Sequence, residues 1–182
     1  DFVRIPLSTY FIDSLFETVW IHNTCIQEIE RWVLSFADSN PVPEVGGFLL
    51  GRYRKNQADL FETLVEVFVP AKAVDFNSPV ILEFGNQVMI DMDRIRDSRP
   101  ELLNVGWFHT HPGHTPFLSE QDLSSHEGFF RKDHQLAIVL DSLTKDFDTG
   151  IFSRKSSGKM NNKEDRSAWI PWKNLLESSN EP

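Results

Sequence analysis

A chain of 182 residues with 40% hydrophobic content, fifteen Phe and five Trp is long and apolar enough to build one self-sufficient core. Its formal net charge of -9 argues against a general polyanion binder, because gripping a phosphate backbone or an anionic membrane surface needs a basic face that releases counterions. The lone cysteine, Cys25, excludes an internal disulfide, and no apolar run reaches the roughly 20 residues of a spanning helix. The expected setting is therefore cytoplasmic, with no nucleic acid and no membrane as partner. No basic start and apolar centre of a signal peptide is evident, and the chain begins at Asp1 rather than Met, as an excised piece of a longer protein would.

In chain order, "DFVRIPLSTYFIDSLF" is apolar with an internal proline and is expected to be an extension or an edge strand. "ETVWIH" follows as a short strand. "NTCIQEIERWVLSFADS" reads as a helix with Ile26, Ile29, Val33 and Phe36 on one face and a capping box from Thr24 to Gln27. "EVGGFLLGRY" is a buried strand whose glycines at 46, 47 and 51 indicate close neighbours. "LFETLVEVFVPA" and "PVILEF" read as further strands, and "NQVMIDMDRIRDSRP" as a helix with Val88, Met89, Met92 and Ile95 apolar.

Then "LLNVGWFHTH" is a strand, "LSEQDLSSHEGFFRK" a helix, "HQLAIVLDS" a buried strand and "GIFSRK" an edge strand. The basic run "RKSSGKMNNK" reads as a solvated loop. In the tail, Trp169, Ile170, Trp172, Leu175 and Leu176 are expected to fold back on the body. Strands and helices interleave without strict alternation, so the predicted fold class is α/β: one domain over residues 1–182, with a mixed central sheet flanked by helices and with extensions at 1–16 and from about 155 to 182.

Chemistry concentrates in "GWFHTHPGHTPFLSEQD". Residues two apart on a strand share a face, so His109 and His111 stand side by side, about 6.6 Å apart at a rise of about 3.3 Å per residue. Thr110 points the other way, and Pro112 ends ladder pairing where a site must open. A catalytic zinc site needs three protein ligands and an open fourth position, and Asp122 is the candidate third ligand. Each element alone has a plainer reading: paired surface histidines, Ser119 as a helix cap in "SEQD", Glu44 as a solvated residue after a turn.

Together, "HTHPGHTPFLSEQD" resembles the JAMM signature of the JAB/MPN metalloprotease family: HxH, seven residues, Ser, two residues, Asp. "EVGGFLLG" is similar to the glycine-bearing run that follows that family's upstream glutamate. The resemblance runs from about residue 17 to about 154. It implies an MPN fold, one zinc ion on His109, His111 and Asp122, Glu44 as general base and Ser119 as oxyanion support. It further implies an isopeptidase acting after the C-terminal glycine of ubiquitin or a ubiquitin-like protein, whose extended tail would lie along "SPVILEF". The compact chain is more similar to prokaryotic members, some of which serve antiviral conjugation systems.

Three other expectations belong here. One is a non-catalytic MPN scaffold that organises a larger complex with a partner subunit, although scaffolds of this type typically lack one or more zinc ligands, whereas all five functional positions are filled here. Another is the DNA-repair-associated branch with a similar histidine pair, which the acidic balance disfavours. A second, structural zinc is not expected with a single cysteine. His114 is expected to be exposed in its loop, His126 to sit on the face of Asp122 as a supporting hydrogen-bond partner, and Trp107 and Phe108 to be core.

Overall fold

The computed structural model describes residues 1–71 and 85–178. Its strands are β1 (Phe2–Pro6), β2 (Phe16–His22), β3 (Gly46–Lys55), β4 (Phe61–Ala71), β5 (Leu103–Thr110), β6 (Leu136–Leu140), β7 (Asp148–Phe152) and β8 (Ile170–Pro171). They form one sheet in the order β1-β2-β4-β3-β5-β6-β7-β8. Parallel pairs join β2 to β4 and β5 to β6, and the other neighbours are antiparallel. A parallel pair needs a crossover. Helix α1 (Asn23–Leu34) lies within the first and α3 (Glu120–Phe129) within the second, while α2 (Gly85–Ser98) precedes β5. The chain thus adopts the α/β fold with a mixed central sheet that its sequence predicts.

The interior strands read as continuous apolar runs because both of their faces are covered: every residue of β6 is buried, and so are the last six of β5. Trp107, Phe108, Phe130, Phe152 and Trp172 are its largest aromatic anchors, each fully buried. Gly46 and Gly51 permit the packing of β3: a Cβ at either would collide with a carbonyl oxygen, of Phe108 and Leu64 respectively. The Gly46 approach matters most, because Gly46 pairs with His109.

Several local expectations change. The cap of α1 is the His22 ring, whose Nδ1 accepts the Thr24 N–H at 3.2 Å, so the Thr24–Gln27 box does not form; the helix starts two residues earlier than that box requires and ends at Leu34. On α2, Val88 and Met92 are buried while Met89 is 50% exposed, so the apolar stripe is narrower than its composition. Strand β7 is not an edge. The tail returns to pair Ile170 with Thr149, driven by burial of Ile170, Trp172 and Leu175.

The basic run is not simply solvated either. Arg154 is 4% exposed and donates from Nη2 to the Phe130 carbonyl at 2.8 Å, while Met160 and Asn161 are also buried. The expected N-terminal edge strand is β1, paired with β2. "PVILEF", residues 79–84, lies outside the described residues. No helix among the described residues is long and apolar enough to cross a membrane.

Candidate metal centre

The last turn of β5 carries the histidines to the point where the sheet opens. The strand is fixed there from both sides: His109 pairs with Gly46 of β3 and with Val139 of β6, and the His111 N–H donates to the Leu140 carbonyl at 2.9 Å. His109 is fully buried and His111 is 4% exposed. Their Nε2 atoms face each other at 3.1 Å.

Asp122 reaches the same point from the first turn of α3. Its Oδ1 is 3.4 Å from His109 Nε2, and its Oδ2 is 3.2 Å from His111 Nε2. The helix start is set by a reciprocal capping box. Ser119 Oγ accepts the Asp122 N–H at 3.1 Å, and Asp122 Oδ2 accepts the Ser119 N–H at 2.8 Å. Ser119 therefore does cap the helix, and the same bonds orient the carboxylate. Because its hydroxyl acts there as an acceptor, its proton remains available to a further partner.

Glu44 is exposed on the segment leading into β3. Its neighbour Val45 is tied to Thr110 twice: the Val45 N–H donates to Thr110 Oγ1 at 2.9 Å, and the Thr110 N–H donates to the Val45 carbonyl at 2.8 Å. The residue between the histidines thus anchors the segment that bears the glutamate. The Glu44 charge is near enough to favour protonation of both imidazoles.

The electrostatics divides the two rings. Burial pushes the His109 imidazole below its ordinary range despite the neighbouring Asp122. Burial opposes charge on His111 as well, but the hydrogen bond and charge of Asp122, together with Glu44, outweigh it and raise that ring. Burial would raise the Asp122 carboxyl; the two histidines and the Ser119 N–H instead hold it well below the usual carboxylate range. The site consequently presents an ionised carboxylate beside one buried ring that favours the neutral form, the states a metal requires of its ligands, while His111 would release a proton on binding one.

These residues fit a zinc ion on their donor chemistry. His111 Nδ1 lies 3.3 Å from the Thr115 carbonyl, which can only accept, so with its proton held on Nδ1 the ring would offer the Nε2 lone pair to a metal. Two nitrogens and a carboxylate oxygen, all within 4.8 Å of one another, form a three-ligand set of the kind found in catalytic zinc sites.

Sequence reasoning treated Trp107 as core alone, and the structure gives it a second contact. Its indole stacks on the His109 ring at a centroid distance of 4.3 Å and an interplanar angle of 8°, and its Nε1–H donates to His126 Nδ1 at 3.0 Å. The period-2 alternation that puts 107, 109 and 111 on one face was the available signal. His126 accordingly turns to Trp107 rather than to Asp122. Burial, with the Arg154 charge adding to it, lowers the His126 imidazole to about 3. His114 is exposed in the loop.

Residues 14–134 match the family model described as JAB1/Mov34/MPN/PAD-1 ubiquitin protease, and the chain belongs to that family. Over 130 residues it is 32% identical to the AMSH-like protease of Homo sapiens and 33% identical to that of Mus musculus. Each match covers 70% of this chain and 27% of the relative, so the shared stretch is about a quarter of those longer proteins. The 26S proteasome non-ATPase regulatory subunit 14 of Caenorhabditis elegans is 27% identical over 129 residues, covering 70% of this chain and 38% of the subunit. In fold alone, the chain is similar to the solution structure of a Desulfitobacterium hafniense protein, with a TM-score of 0.54 at 16% identity over 79% of this chain and 88% of that one.

Proposed function

We propose that the chain is a zinc-dependent isopeptidase or peptidase that cuts after the C-terminal glycine of ubiquitin or a ubiquitin-like modifier, acting in the cytoplasm. The observation that carries this reading is the convergence of His109, His111 and Asp122 beneath the strand end that bears Glu44. The two Nε2 atoms and the Asp122 carboxylate would hold one zinc ion. Zinc so held supplies Lewis-acid activation of water and of the scissile carbonyl.

The other steps fall to the chain's own residues. Glu44 removes the proton from the attacking water and passes it to the leaving amine. Exposure suits that task, since Glu44 must meet both water and substrate. Ser119 donates its free hydroxyl proton to the oxygen on which negative charge develops. Trp107 and the Asp122 cap hold the ligands in place while this happens.

The alternative is a non-catalytic scaffold subunit, which the similarity to a proteasome regulatory subunit favours. The complete His109, His111 and Asp122 set favours catalysis instead. Glu44→Gln separates them. That variant is expected to keep stoichiometric zinc, measured by elemental analysis, and to lose cleavage of a ubiquitin fusion, measured by mass spectrometry with and without chelator. Cleavage at the parental rate by Glu44→Gln removes Glu44 as the base, and a parental chain free of bound zinc favours the scaffold.

A further inference from the structure

We infer that Asp141, at the exit of β6, is a positioning residue for the candidate centre: it locks the turn after His111 so that the Thr115 carbonyl holds the His111 ring at Nδ1 with Nε2 turned to the centre. The inference rests on the metal-centre reading above for its functional meaning, and on local geometry for its substance.

Strand β6 runs parallel to β5 with Leu140 opposite Thr110, which sets Asp141 beside His111. The Asp141 side chain is buried, at 2% exposure, and no cation pairs with it among the described residues. Its oxygens are satisfied by main-chain donors. Oδ1 accepts the Gly113 N–H at 2.8 Å and the Leu143 N–H at 3.0 Å, and Oδ2 accepts the Thr115 N–H at 3.1 Å. A carboxylate is acceptor-only, which is what a pocket lined by N–H groups requires.

Two of those donors belong to the turn between the second histidine and α3. Gly113 has φ +76° and Thr115 has φ +63°. The second is a region that β-branched residues rarely adopt, so Thr115 stays there only if something holds it. The Thr115 N–H on Asp141 is that hold, and the carbonyl of the same residue faces His111 Nδ1 at 3.3 Å. The chain of causes is short: the Asp141 oxygen fixes Thr115, the Thr115 carbonyl holds Nδ1, and the ring keeps Nε2 turned toward Asp122 and His109. The His109 ring has no counterpart among the described residues, since its Nδ1 is buried without a hydrogen-bond partner there and it is oriented by stacking on Trp107.

Asp141→Asn is a selective probe. The amide oxygen can keep the Gly113 and Leu143 bonds, which leaves the NH₂ group opposing the Thr115 N–H. In the metal-free chain, proton–nitrogen NMR spectra should show the His111 ring N–H that faces the Thr115 carbonyl protected from solvent exchange in the parent and unprotected in Asp141→Asn. Affinity for Co²⁺, read from its visible absorption, should fall about tenfold to hundredfold, as for other supports of ligating histidines. Adding Thr115→Gly should restore part of both signals, because glycine occupies positive φ without strain. A role in general stability would not be rescued in this way.

An Asp141→Asn chain in which that ring N–H keeps its parental protection overturns the proposal whatever its cobalt affinity. A parent that takes up no Co²⁺ sinks the metal-centre reading instead, and the protection comparison still decides the role of Asp141. If Asp141→Asn fails to fold, Asp141→Ser carries the same comparison with a smaller acceptor.

Discussion

The two halves of the candidate centre are built by different means. His109 sits on β5 and His111 one residue past its end, where its N–H still bonds Leu140 of β6; the strand is paired on both sides and buried along its last six residues, so both positions follow from the sheet ladder. Asp122 stands on a ten-residue helix that is held at its ends by side chains: Asn162 grips Leu118 through both main-chain groups at 2.8 Å before the helix, and Arg154 binds the Phe130 carbonyl after it. Both braces come from beyond the matched family stretch. A ladder shares its load over many bonds, whereas a bracket concentrates it on a few, so the acid side of the centre should be the easier one to loosen without unfolding the protein.

The largest effect should come from breaking the ladder side directly. His111→Ala is expected to lose both bound zinc and cleavage, checked by elemental analysis and by digestion of a ubiquitin fusion. Ser119→Ala should keep metal but lose about 10²-fold in rate if its hydroxyl supports the oxyanion, and also about 1 kcal/mol of stability from the lost cap. Ser119→Thr, which keeps the hydroxyl, should recover most of both, as read by kcat and by denaturant unfolding.

A pH titration probes the support behind His109. The His126 imidazole is lowered to about 3 in the folded chain, by burial first and Arg154 second, against an ordinary value near 6.5. Between those values the unfolded chain binds a proton that the folded chain refuses. Stability therefore falls as pH drops through this window, by up to about 1.4 kcal/mol per unit from this group, and the contribution is fully present above about 6.5. His126→Gln should flatten the acid limb of urea-unfolding free energy against pH, while the limb due to the Asp122 carboxyl, which lies lower still, remains. The smallest effect on the centre itself should come from Asn162→Ala. It removes two hydrogen bonds to Leu118, costs about 1–3 kcal/mol and weakens Co²⁺ binding through Asp122 more than it lowers the unfolding midpoint of the sheet.

The ladder side was legible in the sequence and the bracket side largely was not, for a physical reason. Periodicity reports which face of a strand is buried, so "LLNVGWFHTH" disclosed both the strand and the shared face of His109 and His111. The Ser119-to-Asp122 spacing disclosed the helix start. Arg154 and Asn162 gave no such signal, because a basic, glycine- and asparagine-bearing run has the composition of a solvated loop, and only tertiary contact reveals that Arg154, Met160 and Asn161 are buried and Asn162 engaged. The same holds for β8, two residues long and half proline, and for the His22 ring acting as a cap where Thr24 had the better local chemistry. The pairing of Trp107 with His126 joins residues nineteen apart, beyond the reach of any local pattern.

The contact between Gly46 and the Phe108 carbonyl leaves no room for even one methyl group. Alanine at that position would act as a wedge between the strand that follows Glu44 and the strand that leads to the imidazoles, widening the gap between them while each of those side chains stays chemically intact. On the proposed reading that is a purely mechanical route to silence, in which reach is lost before chemistry is.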